Sequence, residues 1–123
     1  MGITWLNVRG KEGTASFYRT NITLNTVAAT SFEYAYRVQI GLDENRNIII
    51  KPISKDRVLR GELDEYGLLK VAVKKTYARI SCTEIMTQLG EALGLDYSEE
   101  PLKFMTFWDD KENVLIIYTG GSK

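Results

Sequence analysis

No histidine occurs anywhere in this chain. Its absence removes the usual general base, the usual transition-metal ligand and every Ser–His or Cys–His nucleophile arrangement. Cysteine is nearly absent: Cys82 stands alone, so no intramolecular disulfide forms and a zinc site would have to rest on carboxylates. No apolar run approaches the roughly 20 residues that a membrane span requires. The first residues do not show a basic region followed by an apolar stretch, the mark of a signal peptide. Met1-Gly2 opens like a myristoylation site, but Leu6 stands where that motif needs Ser or Thr. Neither a Walker sequence nor Gly-x-Gly-x-x-Gly is present. Net charge is missing too: 16 Lys/Arg balance 16 Asp/Glu, which argues against bulk attraction to nucleic acid and leaves only a local patch. These absences lead us to expect a cytoplasmic protein that is not an enzyme, holds no cofactor or metal and does not enter a membrane.

What is present suits one domain spanning 1–123. With 44% hydrophobic and 26% charged residues the composition is that of a globular protein. A chain of this length buries roughly two-thirds of its unfolded surface without disulfide or metal staples. The charges divide unevenly. Residues 1–61 hold nine Lys/Arg and five Asp/Glu, net +4, and residues 62–123 hold seven and eleven, net −4. Such a split would steer the basic half of one chain toward the acidic half of another. Two ordinary solvated surfaces are the simpler reading.

The sequence also says one thing twice. Asp43-Glu44-Asn45-Arg46-Asn47-Ile48-Ile49-Ile50 is echoed by Asp109-Asp110-Lys111-Glu112-Asn113-Val114-Leu115-Ile116, and Tyr18-Arg19-Thr20-Asn21-Ile22-Thr23 more loosely by Thr76-Tyr77-Ala78-Arg79-Ile80-Ser81. Patterning gives the first unit a strand over 16–22, a short helix through Ala28, Ala29 and Phe32 capped by Asn25 or Thr23, and a hairpin of 36–40 with 47–51, closed by Pro52. The second unit has a strand over 77–82 and a helix carrying Ile85, Met86, Leu89 and Leu93 at helical spacing. Ser81 and Glu84 form its capping box and Gly94 is its stop. A hairpin of 103–108 with 113–118 follows. Outside the units lie a strand over 3–8, a turn over 9–13, an irregular connector over 54–66 with a short strand at 57–59, a strand over 67–73, an acidic loop over 96–101 and a frayed tail from Thr119. The offset between units is 58 at Ile22 and Ile80 and 66 at Asp43 and Asp109, so the second unit carries an eight-residue insertion. The expected fold is α+β, mainly β. Two pseudo-repeated strand–helix–hairpin units, about 16–52 and 76–118, form one barrel-like domain, because neither unit alone has enough core.

The repeat serves as an internal control on candidate sites. Cys82 at a helix N-terminus is the tempting nucleophile, but its counterpart is Leu24, so a small core residue is the preferred reading. The pairs Asp43-Glu44 and Asp109-Asp110 have the chemistry for acid–base work or a hard cation. They recur at hairpin tips, where Asp and Asn tolerate tight turns. Lys70, Lys74, Lys75 and Arg79 form the longest basic stretch with no acid inside it. They suit phosphate contacts, or a charged edge strand that discourages aggregation. On a strand Lys70 and Lys74 would share a face and Lys75 would point the other way. Seven tyrosines and two tryptophans offer stacking surfaces for single-stranded bases or, more simply, barrel core and subunit interface.

The unit Arg19-Thr20-Asn21-Ile22-Thr23-Leu24, short helix, Tyr36-Arg37-Val38-Gln39-Ile40-Gly41-Leu42-Asp43, Asn47-Ile48-Ile49-Ile50-Lys51-Pro52 resembles the swapped-hairpin module of AbrB/SpoVT-type bacterial regulators. Two tandem copies are similar to the arrangement in the MraZ-like branch of that family. The family's proline after the Ile-Thr strand is replaced here by Leu24-Asn25, and the Asp-x-x-x-Arg signature of MraZ-like proteins is absent from both copies. The resemblance implies a β-barrel of interleaved hairpins, a homo-oligomer, DNA binding in transcription regulation, and Arg19 and Arg79 as DNA-contacting residues of equivalent strands. The expected function is therefore a small bacterial DNA-binding regulator using Arg19, Lys70, Lys74, Lys75 and Arg79. The alternative on the same scaffold is a non-catalytic oligomeric assembly protein, such as a phage or mobile element would carry.

Overall fold

Alternation of apolar and polar residues builds the first hairpin. A computed structural model describes residues 2–3, 12–99 and 101–120. Within it β1 (Thr14–Phe17) and β2 (Asn21–Leu24) bury Ala15, Phe17, Ile22 and Leu24 completely and leave the intervening side chains half-exposed. The expectation of one strand over 16–22 is corrected. Tyr18 and Asn21 exchange backbone hydrogen bonds (2.8 and 3.4 Å), so the chain turns at Arg19-Thr20 and Phe17 faces Ile22. The strand and turn expected over 3–8 and 9–13 fall largely outside the described residues.

Asn25 caps α1 (Thr26–Ala29), accepting from the Ala28 N–H at 3.0 Å, as an N-cap asparagine should. A 3₁₀ turn over Thr30–Phe32 follows and delivers Phe32 into the core. Next come β3 (Arg37–Leu42) and β4 (Ile48–Ile53), paired in register from Arg37 opposite Ile53 to Leu42 opposite Ile48. Strand β4 runs through Pro52, where the sequence suggested an end. The Ile53 carbonyl bonds back across β3's start to the Tyr36 N–H (2.9 Å). The neighbouring Pro52 nitrogen therefore points the other way, beyond the last β4 pair on that side, Ile50 with Leu115. No ladder bond is lost there, so proline is tolerated.

The connector expected to hold a strand at 57–59 contains instead a helix, α2 (Lys55–Leu59). Ser54 caps it, and Arg57–Glu62, Arg60–Asp56 and Arg60–Glu62 ion pairs tie its exposed face. Local polar pairing of this kind leaves no apolar period to read. After a 3₁₀ turn (Glu65–Gly67) come β5 (Leu69–Lys70), β6 (Ala72–Val73) and β7 (Ala78–Ser81). Helix α3 (Thr83–Leu93) buries Met86 and Leu89 and stops at Gly94, whose φ of 70° is the left-handed conformation that glycine adopts freely. The expected capping box is corrected: Cys82 occupies the N-cap without a side-chain bond, and Ser81 belongs to β7, opposite Asn21. The acidic loop docks back on the helix. Its 3₁₀ turn (Tyr97–Glu99) brings the Tyr97 hydroxyl to donate to the Met86 carbonyl (2.8 Å). Strands β8 (Leu102–Asp109) and β9 (Val114–Ile117) complete the chain. Thr119 and Gly120, expected to fray, are held by the Arg46 carbonyl and the Asn47 side chain (both 2.9 Å).

The nine strands of the described residues lie in the order β5-β3-β4-β9-β8-β1-β2-β7-β6, all paired antiparallel. The two outermost, β5 and β6, are separated in sequence by Val71 alone, so the chain joins one edge of the sheet to the other. The result is a nearly closed, mainly β barrel. Phe17, Phe32, Ile22, Leu24, Ile48, Ile50, Ile80, Leu115 and Ile117 fill it. Phe17 meets Phe104 edge-on at 5.0 Å and Phe32 meets Trp108 at 6.3 Å. Each fully buried side chain of this size contributes about 1.5–3 kcal/mol of transfer free energy. Among the described residues no helix is long and apolar enough to cross a membrane.

Candidate nucleic-acid interface

The basic stretch resolves into a strand, a turn and a strand. Lys70 ends β5, opposite Arg37. Lys74 and Lys75 sit past the end of β6, in the turn that the Lys74 N–H closes onto the Tyr77 carbonyl (2.8 Å). The alternation expected for these lysines therefore does not apply, because the strand has ended before them. Arg79 projects outward from β7, between Ala72 and Thr23 of the flanking strands, with its guanidinium over the Tyr77 ring at 5.1 Å. All four cations are exposed. Among the described residues none of them makes an ion pair, whereas Arg37, Arg57 and Arg60 all do.

Arg19 lies elsewhere. It sits in the β1–β2 turn, at the Asn21–Ser81 end of the β2–β7 ladder, while Lys74 and Lys75 adjoin the Leu24–Ala78 end. Asp96 locates its electrostatic neighbourhood. That carboxyl is held below its ordinary value by hydrogen bonds from the Ser98 hydroxyl and backbone N–H, with the Arg19 charge acting in the same direction.

Beside Lys74 and Lys75 runs an open groove of about 320 Å³, lined also by Thr26, Ala29, Thr30, Glu33 and Val73. The threonine hydroxyls are committed: Thr26 donates to the Thr76 carbonyl (2.7 Å) and Thr30 to the Thr26 carbonyl (2.9 Å). The Thr26 bond fixes α1 against the basic turn. Glu33 puts one carboxylate into the groove, which limits how much anionic charge it welcomes.

A second cluster joins distant parts of the chain. The Glu65 carboxylate accepts from the Tyr36 hydroxyl (2.7 Å) and from Arg37 (2.9 Å), and the Arg37 guanidinium stacks on the Tyr36 ring at 4.0 Å. The hydrogen bond to Glu65 raises the Tyr36 hydroxyl above its ordinary value of 10.0, desolvation adds to that, and the Arg37 charge opposes it. Glu65 also lines a groove of about 500 Å³ with Arg37, Leu68, Lys70 and a fully exposed Tyr66. The adjacency Tyr36-Arg37 was visible in sequence. Its partner 28 residues on was not, since the connector showed no period.

The carboxylate pairs do structural work. Asp43 accepts from the Asn45 and Asn47 N–H groups (both 2.8 Å), and Asp109 from those of Lys111 and Glu112 (2.9 and 3.3 Å). Each tip also holds one residue with positive φ, Arg46 and Asn113. Among the described residues no group of three His, Cys, Asp or Glu side chains converges as metal ligands would. Cys82 is half-buried, less so than its fully buried counterpart Leu24, and its N–H bonds the Thr20 carbonyl (3.1 Å). Three comparisons with known proteins bear on identity: no family model, no curated protein and no solved structure matches the chain.

Proposed function

We propose that this chain is a small DNA-binding regulator built like the swapped-hairpin proteins that its sequence resembles, acting in a reducing compartment such as the bacterial cytoplasm. One observation carries the proposal: the β5–β7 segment presents Lys70, Lys74, Lys75 and Arg79 to solvent, and among the described residues no carboxylate pairs any of them. A cluster of exposed cations in a chain of zero net charge is the form a phosphate-contacting patch takes when bulk charge is absent.

The pairing geometry supports the duplicated unit on which the resemblance rests. In an antiparallel pair related by a two-fold axis, a residue on the axis faces its own counterpart. Ile22 faces Ile80, its match at offset 58. At offset 66 Ile49 corresponds to Leu115 and Ile50 to Ile116, and the ladder pairs them crosswise, Ile49 with Ile116 and Ile50 with Leu115. Both junctions thus fit one two-fold operation acting on two strand–helix–hairpin units. Arg19 stands outside the patch and is assigned no phosphate contact here.

The experiment is a binding titration on mixed genomic DNA fragments at several salt concentrations. Affinity should fall steeply as salt rises. Lys74→Ala with Lys75→Ala should flatten the slope of log K against log salt by about 2, roughly one per lost phosphate contact. Absence of binding at low salt refutes the proposal. The alternative, a non-catalytic assembly role, draws on a different observation, the outward apolar face of β8 and β9.

A further inference from the structure

On β8 the side chains alternate. Leu102, Phe104, Thr106 and Trp108 turn toward the barrel, and Lys103, Met105 and Phe107 turn out. Phe107 is 54% and Met105 45% exposed. Neighbouring strands extend the surface sideways. Gly41, Ile49, Ile116 and Phe107 form one cross-strand row, and Tyr118, 49% exposed, is bonded through its N–H to the Met105 carbonyl (3.0 Å) in the next. The first row contains no charge, and in the second Met105 and Tyr118 are uncharged while Asp43, opposite Asn47, stands at the far edge. Charges flank them lengthwise: Lys103 at one end of β8, Asp109 and Asp110 at the other, where Lys51 already donates to the Glu112 carbonyl (2.9 Å).

We infer that this face binds a second copy of the same chain, sheet on sheet, about a two-fold axis that crosses β8 at Thr106. Such an axis lies between the sheets and perpendicular to the strand. It reverses β8 on its copy, so Met105 of one protomer meets Phe107 of its partner and Lys103 meets the Asp109-Asp110 end. The outward sequence cation–apolar–apolar–anion is its own complement under that operation, as an isologous interface requires. Met, Phe and Tyr at the centre with charge at the ends is the composition of interface cores. Zero net charge removes the repulsion that two copies would otherwise feel.

Size agrees with a modest dimer. Half-exposed aromatics each offer on the order of 100 Å². With Met105 and the part-exposed Ile49, Ile116 and Val114, the apolar area is on the order of 450 Å² per copy, a patch that in monomers is commonly functional. Including its polar rim, the pair reaches roughly the 1,200 Å² at which specific interfaces begin.

Sedimentation velocity on the whole chain, without DNA, over about 1 μM to 1 mM tests this. A reversible monomer–dimer equilibrium is expected. Phe107→Glu should weaken it at least about thirty-fold. Lys103→Glu should weaken it by a smaller factor, and adding Asp110→Lys should restore it. Asp110 is chosen because Asp109 holds the hairpin tip. These side chains are exposed, and circular dichroism on each variant verifies the fold. A monomer at every concentration overturns the inference. So does a dimer indifferent to Phe107→Glu, or a double reversal no tighter than the single one. It stands apart from the DNA reading, whose test turns on Lys74 and Lys75 at another wall of the barrel.

Discussion

Replacing Asn25 by alanine should cost far more than its half-exposed position suggests. Its side chain serves three segments at once. Oδ1 accepts from the Ala28 N–H at the start of α1 (3.0 Å) and from the Thr14 N–H at the start of β1 (3.1 Å), while Nδ2 donates to the Glu12 carbonyl (2.8 Å). Alanine removes the helix cap, worth about 1 kcal/mol. It also strands the part-buried Thr14 N–H without a partner, which adds about 1–2 kcal/mol. The expected loss is about 2–3 kcal/mol, or a fall in Tm of roughly 8–12 °C for a domain of this size. Asn25→Asp keeps the accepting oxygen and gives up only the exposed donor, so it should lose less than about 1 kcal/mol. Urea unfolding followed by tryptophan fluorescence measures both, with the slope of the transition checking that unfolding stays two-state. If alanine costs under about 0.5 kcal/mol, or if aspartate is as damaging as alanine, the shared-acceptor account is wrong.

Two further outcomes follow from the same geometry. Phe17→Ala empties a fully buried site in edge contact with Phe104 and should lower unfolding free energy by about 3–5 kcal/mol, read from the urea midpoint. Glu62 should titrate below its ordinary value of 4.5, because hydrogen bonding from Arg57 is the largest influence on it and the Arg60 charge adds to that. Its stabilising effect is complete above that ordinary value and is lost as pH falls through the lowered folded one. Glu62→Gln should therefore flatten the acid limb of stability against pH, and an unchanged limb would sink the assignment.

The strands were legible where one face is buried and the other wet. In Arg37-Val38-Gln39-Ile40 polar and apolar residues alternate in sequence, and Val38 is buried while Gln39 is exposed, as expected. Residues 103–108 carry no such alternation, since Met105 and Phe107 turn out and Thr106 turns in. The helix around Met86 and Leu89 was legible for the same reason at a different period. Misreadings fell where local polar chemistry decides the backbone. The turn at Arg19-Thr20 lies between two short stretches that each look like strand and has no glycine or proline to announce it. The α2 helix is set by Ser54 and a web of exposed ion pairs. Cys82 took the cap position because β7 runs through Ser81 to complete its ladder with Asn21. Of the candidate site, the basic stretch was plain. The separation of Arg19 from it was not, since that depends on the end of the ladder at which each cation sits. The Tyr36–Arg37–Glu65 cluster joins parts of the chain that no short-range pattern links.

A barrel closed by its own chain has a seam, and here the seam is thin. Strands β5 and β6 contribute two residue pairs each, against six between β3 and β4. Local opening takes the path with the fewest bonds to break, so β5 and β6 should lift off β3 and β7 before any other wall parts, and the backbone amides of 69–73 should exchange first. Lys70 stands on one side of that seam and Lys74-Lys75 on the other. A polyanion gripping both would hold the seam shut, and binding would then be felt as stiffness at the one place where the wall is weakest.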